Sequence, residues 1–435
     1  MGMSKRLKAQ IWIMLLAFSL LNAAICINSF VMPVKASSYS GPPDPSLFKF
    51  SRNTTYNYNF TYSIERTVLG SSQYERWLAV LDNRTFLDPS GSVYQQEFNV
   101  TGEAFDSVLE EHDITDEHGN AVRYFRFSLA QGATWKFSLE GNYTLRQVSW
   151  KNNDTLSYSD YNLVDPLYVR YTQEEEMVNK SHPQIQARVD QLNSSNPIQT
   201  AINVYNFVAN YLDYEIQPDE YGAEYAIENG EGDCTEYAFL MVALLRACGI
   251  PARPLRGLVI AESSQQGVSP NFDAAVGTSM IFASRYEGLT LASSNITGHA
   301  WLEYFVPGYG WIITDPTWHV TGDYNNAIDT IHVPETSGTW IGAGITPSFG
   351  SPVPFFPIHV SGGCTQEYRY RFTVVAQEAP PTIWEQLGTF IMENPGIFIA
   401  IVSLVVSIVA VIFIIKARRR KTYSKSSGND RQRIF

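Results

Sequence analysis

Cysteine is scarce in this chain, with four in 435 residues. Cys26 falls in an apolar N-terminal stretch, which leaves Cys234, Cys248 and Cys364. No two of them form a CxxC pair, so a zinc ribbon is excluded. Histidine is also sparse, at seven, and no H-E-x-x-H sequence, G-x-x-x-x-G-K-[ST] loop or EF-hand pattern occurs. The expectation is therefore no metal and no cofactor. Positive charge is in short supply: 31 Lys and Arg stand against 43 Asp and Glu, a net of −12. Residues 1–36 and 416–435 hold twelve of the basic groups and one acidic group, so the stretch between carries 19 basic and 42 acidic, a net of −23. Such a surface repels a phosphate backbone, which argues against DNA or RNA as a partner. If Cys234 stays free, Cys248–Cys364 is the sole disulfide available, and Cys248 on an inner helix reads more simply as a buried thiol.

Long apolar runs occur only at the ends. Lys5, Arg6 and Lys8 precede an uncharged stretch from Ile11 to Ile27, followed by Val34-Lys35-Ala36. Residues 1–36 read as a signal peptide, with an uncleaved signal anchor as the alternative. Ile397 to Ile415 is nineteen residues without a charge. At 1.5 Å per residue that nearly spans a ~30 Å hydrocarbon core. The run Lys416-Ala417-Arg418-Arg419-Arg420-Lys421 follows at once. This predicts a stalk over 379–394, a transmembrane helix over 395–415 and a basic cytoplasmic tail over 416–435. The expected location is the cell membrane, single-pass, with the bulk of the chain outside. Nine N-x-[ST] sequons, from Asn53 to Asn295, all fall in that outer part and favour an exported, glycosylated ectodomain.

The outer part is too long for one core. Over 45–162, polar residues alternate with aromatic or β-branched ones, as in Tyr56-Asn57-Tyr58-Asn59-Phe60-Thr61-Tyr62, with turn signals such as Asp88-Pro89-Ser90-Gly91 and His118-Gly119-Asn120. Short strands at this spacing predict an antiparallel β-sandwich. Over 163–378 the pattern is mixed. Two helices divide near Asn193-Ser194-Ser195-Asn196-Pro197, a third follows Cys234, and a strand lies around Leu255–Ile260. A Ser/Gly/Asn-containing insertion over 261–296 is long enough to border a cleft. After Asp315, regular signals are few until Tyr368–Ala376.

Chemistry concentrates in three blocks. Gly232-Asp233-Cys234-Thr235-Glu236 opens a segment, 235–248, rich in helix formers and ended by Gly249 and Pro251. Cys234 thus sits at or just before a helix N-terminus, where unpaired N–H groups and the helix dipole favour a thiolate and can hold an oxyanion. Gly298-His299-Ala300-Trp301 and Gly310-Trp311-Ile312-Ile313-Thr314-Asp315 read as two strands around the turn Pro307-Gly308-Tyr309-Gly310. A hairpin centred near 307 sets His299 directly opposite Asp315. One centred a residue or so later sets Asp315 opposite a near neighbour of His299. His118 reads as a turn residue, and His319, His332 and His359 show no metal-ligand spacing.

The order Cys234, His299, Asp315, with these flanking residues, resembles the transglutaminase-like superfamily, relatives of the papain-like thiol enzymes. The resemblance is specific over roughly residues 165–320. It implies an α+β fold: a papain-like catalytic core preceded by the β-sandwich and followed by the transmembrane helix. It implies acyl transfer at amide bonds of a protein or peptide substrate, with Cys234 as nucleophile, His299 as proton carrier and Asp315 orienting the imidazole. A second oxyanion donor is implied too; Trp301, Tyr221 and Tyr225 lie nearby, but no motif selects one. Lack of paired cysteines argues against the peptide N-glycanase branch. Some animal transglutaminases use calcium, and no calcium motif is present here. The alternatives are a cysteine protease or amidase using the same triad, or a binding module that has lost catalysis.

Overall fold

Alternation of buried and outward side chains builds the largest sheet. The computed structural model describes residues 44–378, apart from 82, 84–95, 116–117, 152–154, 261–273, 297, 320–323 and 339–361. The expected signal segment, stalk, transmembrane helix and tail lie outside these residues. Among the described residues no helix is long and apolar enough to cross a membrane.

Strands in chain order are β1 (Phe48–Arg66), β2 (Ser71–Ala79), β3 (Gln96–Phe105), β4 (Glu110–Thr115), β5 (Ala121–Ala130), β6 (Thr134–Trp150), β7 (Asp213–Tyr214), β8 (Glu231–Gly232), β9 (Ala252–Val259), β10 (Ser279–Glu287), β11 (Thr290–Ser294), β12 (Gly298–Val306), β13 (Gly310–Thr314), β14 (Ala327–Ile328), β15 (His332–Ser337) and β16 (Cys364–Glu378). Helices span Pro166–Tyr171, Pro183–Leu192, Pro197–Tyr211, Gly222–Asn229 and Cys234–Ala247. The result is a strand-rich fold of mixed helices and strands, whose larger sheets are antiparallel.

In β1 the period of two buries Tyr56, Tyr58, Phe60, Tyr62 and Ile64. The sheet runs β11-β10-β16-β1-β6-β14, with β3 also on β6. It therefore joins β1, β3 and β6, which precede residue 163, with β10, β11, β14 and β16, which follow it. The insertion supplies β10 and β11 to this sheet, where β10 pairs along β16 from Ser279↔Thr373 to Glu287↔Thr365. Residues 261–273 of that insertion lie outside the described residues. A three-stranded sheet, β2-β5-β4, meets the large one through aromatic rings: Phe127 stacks on Trp135 with centroids 4.2 Å apart, and Phe125 lies 5.2 Å from Phe137.

The third sheet, β13-β12-β9-β15, carries the site, and the Cys234–Ala247 helix packs across β12 and β9. That helix is buried along nearly its whole length, from Cys234 to Arg246. Arg253 supports the sheet from behind. Its guanidinium binds buried Glu303 at 2.6 Å, donates to Tyr171 Oη at 3.0 Å and lies 4.2 Å over the Trp311 ring. Cys248 and Cys364 are both buried free thiols, so no bridge joins them.

Candidate active site

Local chemistry places Cys234 as the first residue of its helix. Asp233 caps the helix by accepting the Thr235 N–H at 2.9 Å, and Glu236 reaches back to the Asp233 N–H at 3.2 Å. Glu236 also accepts the Tyr221 and Gly222 N–H groups, tying that loop to the helix start. A Cβ on Gly232 would come within 2.3 Å of Glu236 Cβ, so glycine at 232 is what lets Glu236 fold back.

The β12–β13 hairpin pairs Val306 with Gly310 and Leu302 with Thr314. It is thus centred at residue 308, the later of the two registers expected, and Asp315 falls just past the ladder. There Asp315 caps a short 3-10 turn, Pro316–Trp318, by accepting the Thr317 N–H at 2.9 Å. His299 reaches it across the diagonal: Nε2 donates to Asp315 Oδ2 at 2.7 Å, with both side chains fully buried. Nδ1 of His299 is buried without a hydrogen-bond partner. The next residue on the strand, Ala300, donates its backbone N–H to the Cys234 thiol.

The electrostatics differ from the thiolate expected at a helix start. Burial pushes Cys234 well above the ordinary thiol value, and the Asp233, Asp315 and Glu236 charges add to it; the Ala300 N–H acts in the opposite direction. The resting group is therefore a neutral thiol. Burial would raise Asp315 as well, but the facing His299 and His332 imidazoles outweigh it and hold the carboxyl well below the usual carboxylate range.

His332 is the residue that sequence reasoning missed. It opens β15, which pairs with β9 in a region expected to carry few regular elements. Its Nε2 lies 3.2 Å from Asp315 Oδ2 and its Nδ1 2.9 Å from Asp329 Oδ1. The one local signal was Asp329, three residues earlier. His118, expected in a turn, is buried beside Tyr171, with Nδ1 3.1 Å from its hydroxyl.

Candidate oxyanion donors sort differently from expectation. Trp301 stacks against the His299 ring at 5.5 Å, and Tyr225 donates to Glu231 at 2.7 Å. Tyr214 is closer to the chemistry. Burial, followed by the Cys234, Asp233 and Asp315 charges, raises its hydroxyl far above the ordinary value. The β7–β8 pair, with Tyr214 opposite Gly232, sets it beside the nucleophile loop. His299, Asp315 and His332 have ligand atoms within 4.8 Å of one another, and hydrogen bonds at 2.7 and 3.2 Å join them. His182, Glu224 and Glu228 form a second such trio nearer the surface.

Residues 186–316 match the model of the transglutaminase-like superfamily. A Pseudomonas aeruginosa protein-glutamine gamma-glutamyltransferase is 31% identical over 111 residues, which are 25% of this chain. A Bacillus subtilis uncharacterized protein, YebA, is 24% identical over 115 residues, 26% of the chain. The matches span only 14% and 13% of those relatives' own lengths. Among solved structures, the periplasmic domain of TgpA from Pseudomonas aeruginosa is 18% identical, with a TM-score of 0.28 over 60% of this chain and 88% of its own. A Cytophaga hutchinsonii structure, provisionally named a cysteine protease, is 14% identical, with a TM-score of 0.44 over 77% of this chain and 95% of its own. Residues 186–316 thus form a core domain of the transglutaminase-like superfamily.

Proposed function

We propose that the chain is a membrane-anchored, extracytoplasmic thiol enzyme that transfers acyl groups at amide bonds of a protein or peptide substrate through Cys234, His299 and Asp315. The observation that carries this reading is the 2.7 Å His299–Asp315 bond. It fixes the tautomer with hydrogen on Nε2 and leaves Nδ1 as the unpartnered base, on the strand whose next N–H meets the thiol. Because the resting thiol is neutral, its proton passes to His299 Nδ1 as sulfur attacks the amide carbon. The Cys234 backbone N–H, at the helix start, helps hold the oxyanion. Collapse of the intermediate expels the amine, which takes the proton from His299 and leaves a thioester. An acceptor amine then forms a new amide, or water forms a carboxylic acid, and the thiol is restored.

Transfer is favoured over hydrolysis by the 31%-identical segment shared with a protein named as a gamma-glutamyltransferase. Anchoring and outward orientation are supported by the apolar run at 397–415 and the basic cluster after it. A β-sandwich belongs to the same reading, supported by the aromatic contacts between β5 and β6, with β10, β11, β14 and β16 from beyond residue 163 completing its larger sheet. The test is incubation of the full chain with a fluorescent primary amine and a glutamine-rich protein. Amine incorporation that vanishes in Cys234→Ala supports transfer. Deamidation or cleavage without incorporation supports the hydrolytic alternative, and identical behaviour of wild type and Cys234→Ala leaves a binding module.

A further inference from the structure

We infer that His332 is a positioning residue for this chemistry, a cationic imidazole bolted between Asp315 and Asp329 that holds the carboxylate orienting His299. This rests on the reading of His299 as the base. At 3.2 and 2.9 Å, both ring nitrogens of His332 face carboxylate oxygens, which only accept, so each nitrogen donates and the ring carries both protons.

Neither carboxylate can turn away without loss. Asp329 Oδ1 accepts the N–H groups of Ile331 and His332, and its Oδ2 accepts the Tyr324 hydroxyl at 2.6 Å. Asp315 spends Oδ1 on the Thr317 N–H and Oδ2 on the two imidazoles. All four charged or ring groups are at most 4% exposed, so bulk solvent does not reach them to replace a lost bond. The His332 ring is packed among other rings, with centroids 4.7 Å from Trp318, 5.2 Å from Trp301 and 5.5 Å from Tyr324, which hold it in place. Burial would lower the His332 pKa, but Asp329 and Asp315 outweigh it and push it up to about 9.

Backbone chemistry delivers His332 to this place. Gly257 of β9 lies between His299 on β12 and Pro334 on β15. A Cβ there would come within 1.8 Å of the Val333 carbonyl oxygen, so only glycine lets β15 approach. The consequence is a relay of fixed groups, Asp329–His332–Asp315–His299, in which His332 acts through Asp315 and does not touch substrate.

The test reads proton acceptance without any substrate: alkylation of Cys234 by iodoacetamide in the full chain, located by peptide mapping. His299→Ala is expected to slow it by about 10²-fold or more. His332→Leu is expected to slow it by about 10- to 100-fold, the scale of a misplaced base. His332→Gln, which keeps a neutral donor toward Asp315, should recover most of that loss. In ¹⁵N-histidine-labelled protein, both His332 nitrogens should read as protonated at neutral pH, and His299 should lose its single tautomer in His332→Leu. Unchanged alkylation and an unchanged His299 tautomer in His332→Leu would overturn the proposal while His299→Ala still upholds the base. If His299→Ala is silent, the triad reading fails instead. Should the variants not fold, a neutral His332 in the wild-type spectrum overturns the inference by itself.

Discussion

Glu335→Gln should convert a pH-sensitive fold into a pH-tolerant one. Glu335 is the extra residue in the β15 bulge between Pro334 and Thr336, and it is 5% exposed. It reaches toward the large sheet, where it hydrogen-bonds Tyr370 and lies close enough to Tyr58 to act on it; its Oε2 has no hydrogen-bond partner. Burial raises its carboxyl to about 8, against 4.5 for the free group, and the Tyr370 bond recovers only part of that. Between those values the folded chain keeps a proton that the unfolded chain has lost. Stability therefore falls as pH rises through this window, and the loss is complete above about pH 8. At 1.36 kcal/mol per unit the full penalty is about 5 kcal/mol, of which roughly 4 kcal/mol develops between about pH 5 and about pH 8.5. Glutamine keeps the shape and removes the titration. Urea unfolding of both proteins, followed by tryptophan fluorescence, should show near-equal midpoints at the acid end and a large advantage for Glu335→Gln at the alkaline end. A constant difference across pH, or a glutamine variant that is weaker at high pH, would refute the reasoning.

Two further outcomes follow from the same structure. Arg253→Leu removes the buried countercharge of Glu303 and a donor to Tyr171, so it should cost about 3–5 kcal/mol in urea unfolding; a loss near zero would mean that the pair is expendable. Tyr214→Phe should slow acylation by an amide substrate by about 10²-fold, the scale of a lost oxyanion donor, while iodoacetamide alkylation of Cys234 is nearly unchanged. Parallel loss of both rates would instead make Tyr214 a packing residue.

The Cys234 block was legible because its determinants are adjacent in the chain. The cap Asp233, the reciprocal Glu236 and the helix formers after them need only nearest neighbours to set the start of a helix. The alternation of β1 was legible for the same reason, since a half-buried strand writes its period into its own residues. The hairpin was half legible: the turn composition placed two strands, but a shift of one residue in the centre changes which side chains oppose, and composition does not carry that residue. The state of the thiol was not legible. The helix terminus that favours a thiolate and the Asp233 and Glu236 charges that oppose it are local, whereas the burial that dominates, and the Asp315 charge, come from segments folded in from elsewhere.

The candidate site residues, their order and the elements that carry Cys234, His299 and Asp315 are thus properties of the sequence itself, because capping, turn formation and alternation act over a few residues. Tertiary structure alone decided that Asp315 meets His299 on the diagonal, that the 279–294 segment joins the large sheet, and that His332 arrives beside Asp315. The first turns on a one-residue choice of hairpin centre, and the other two on pairing between strands distant in the chain. Such pairing is set by the burial of whole faces, and by one glycine that lets two strands close, and neither is visible in any short window of residues.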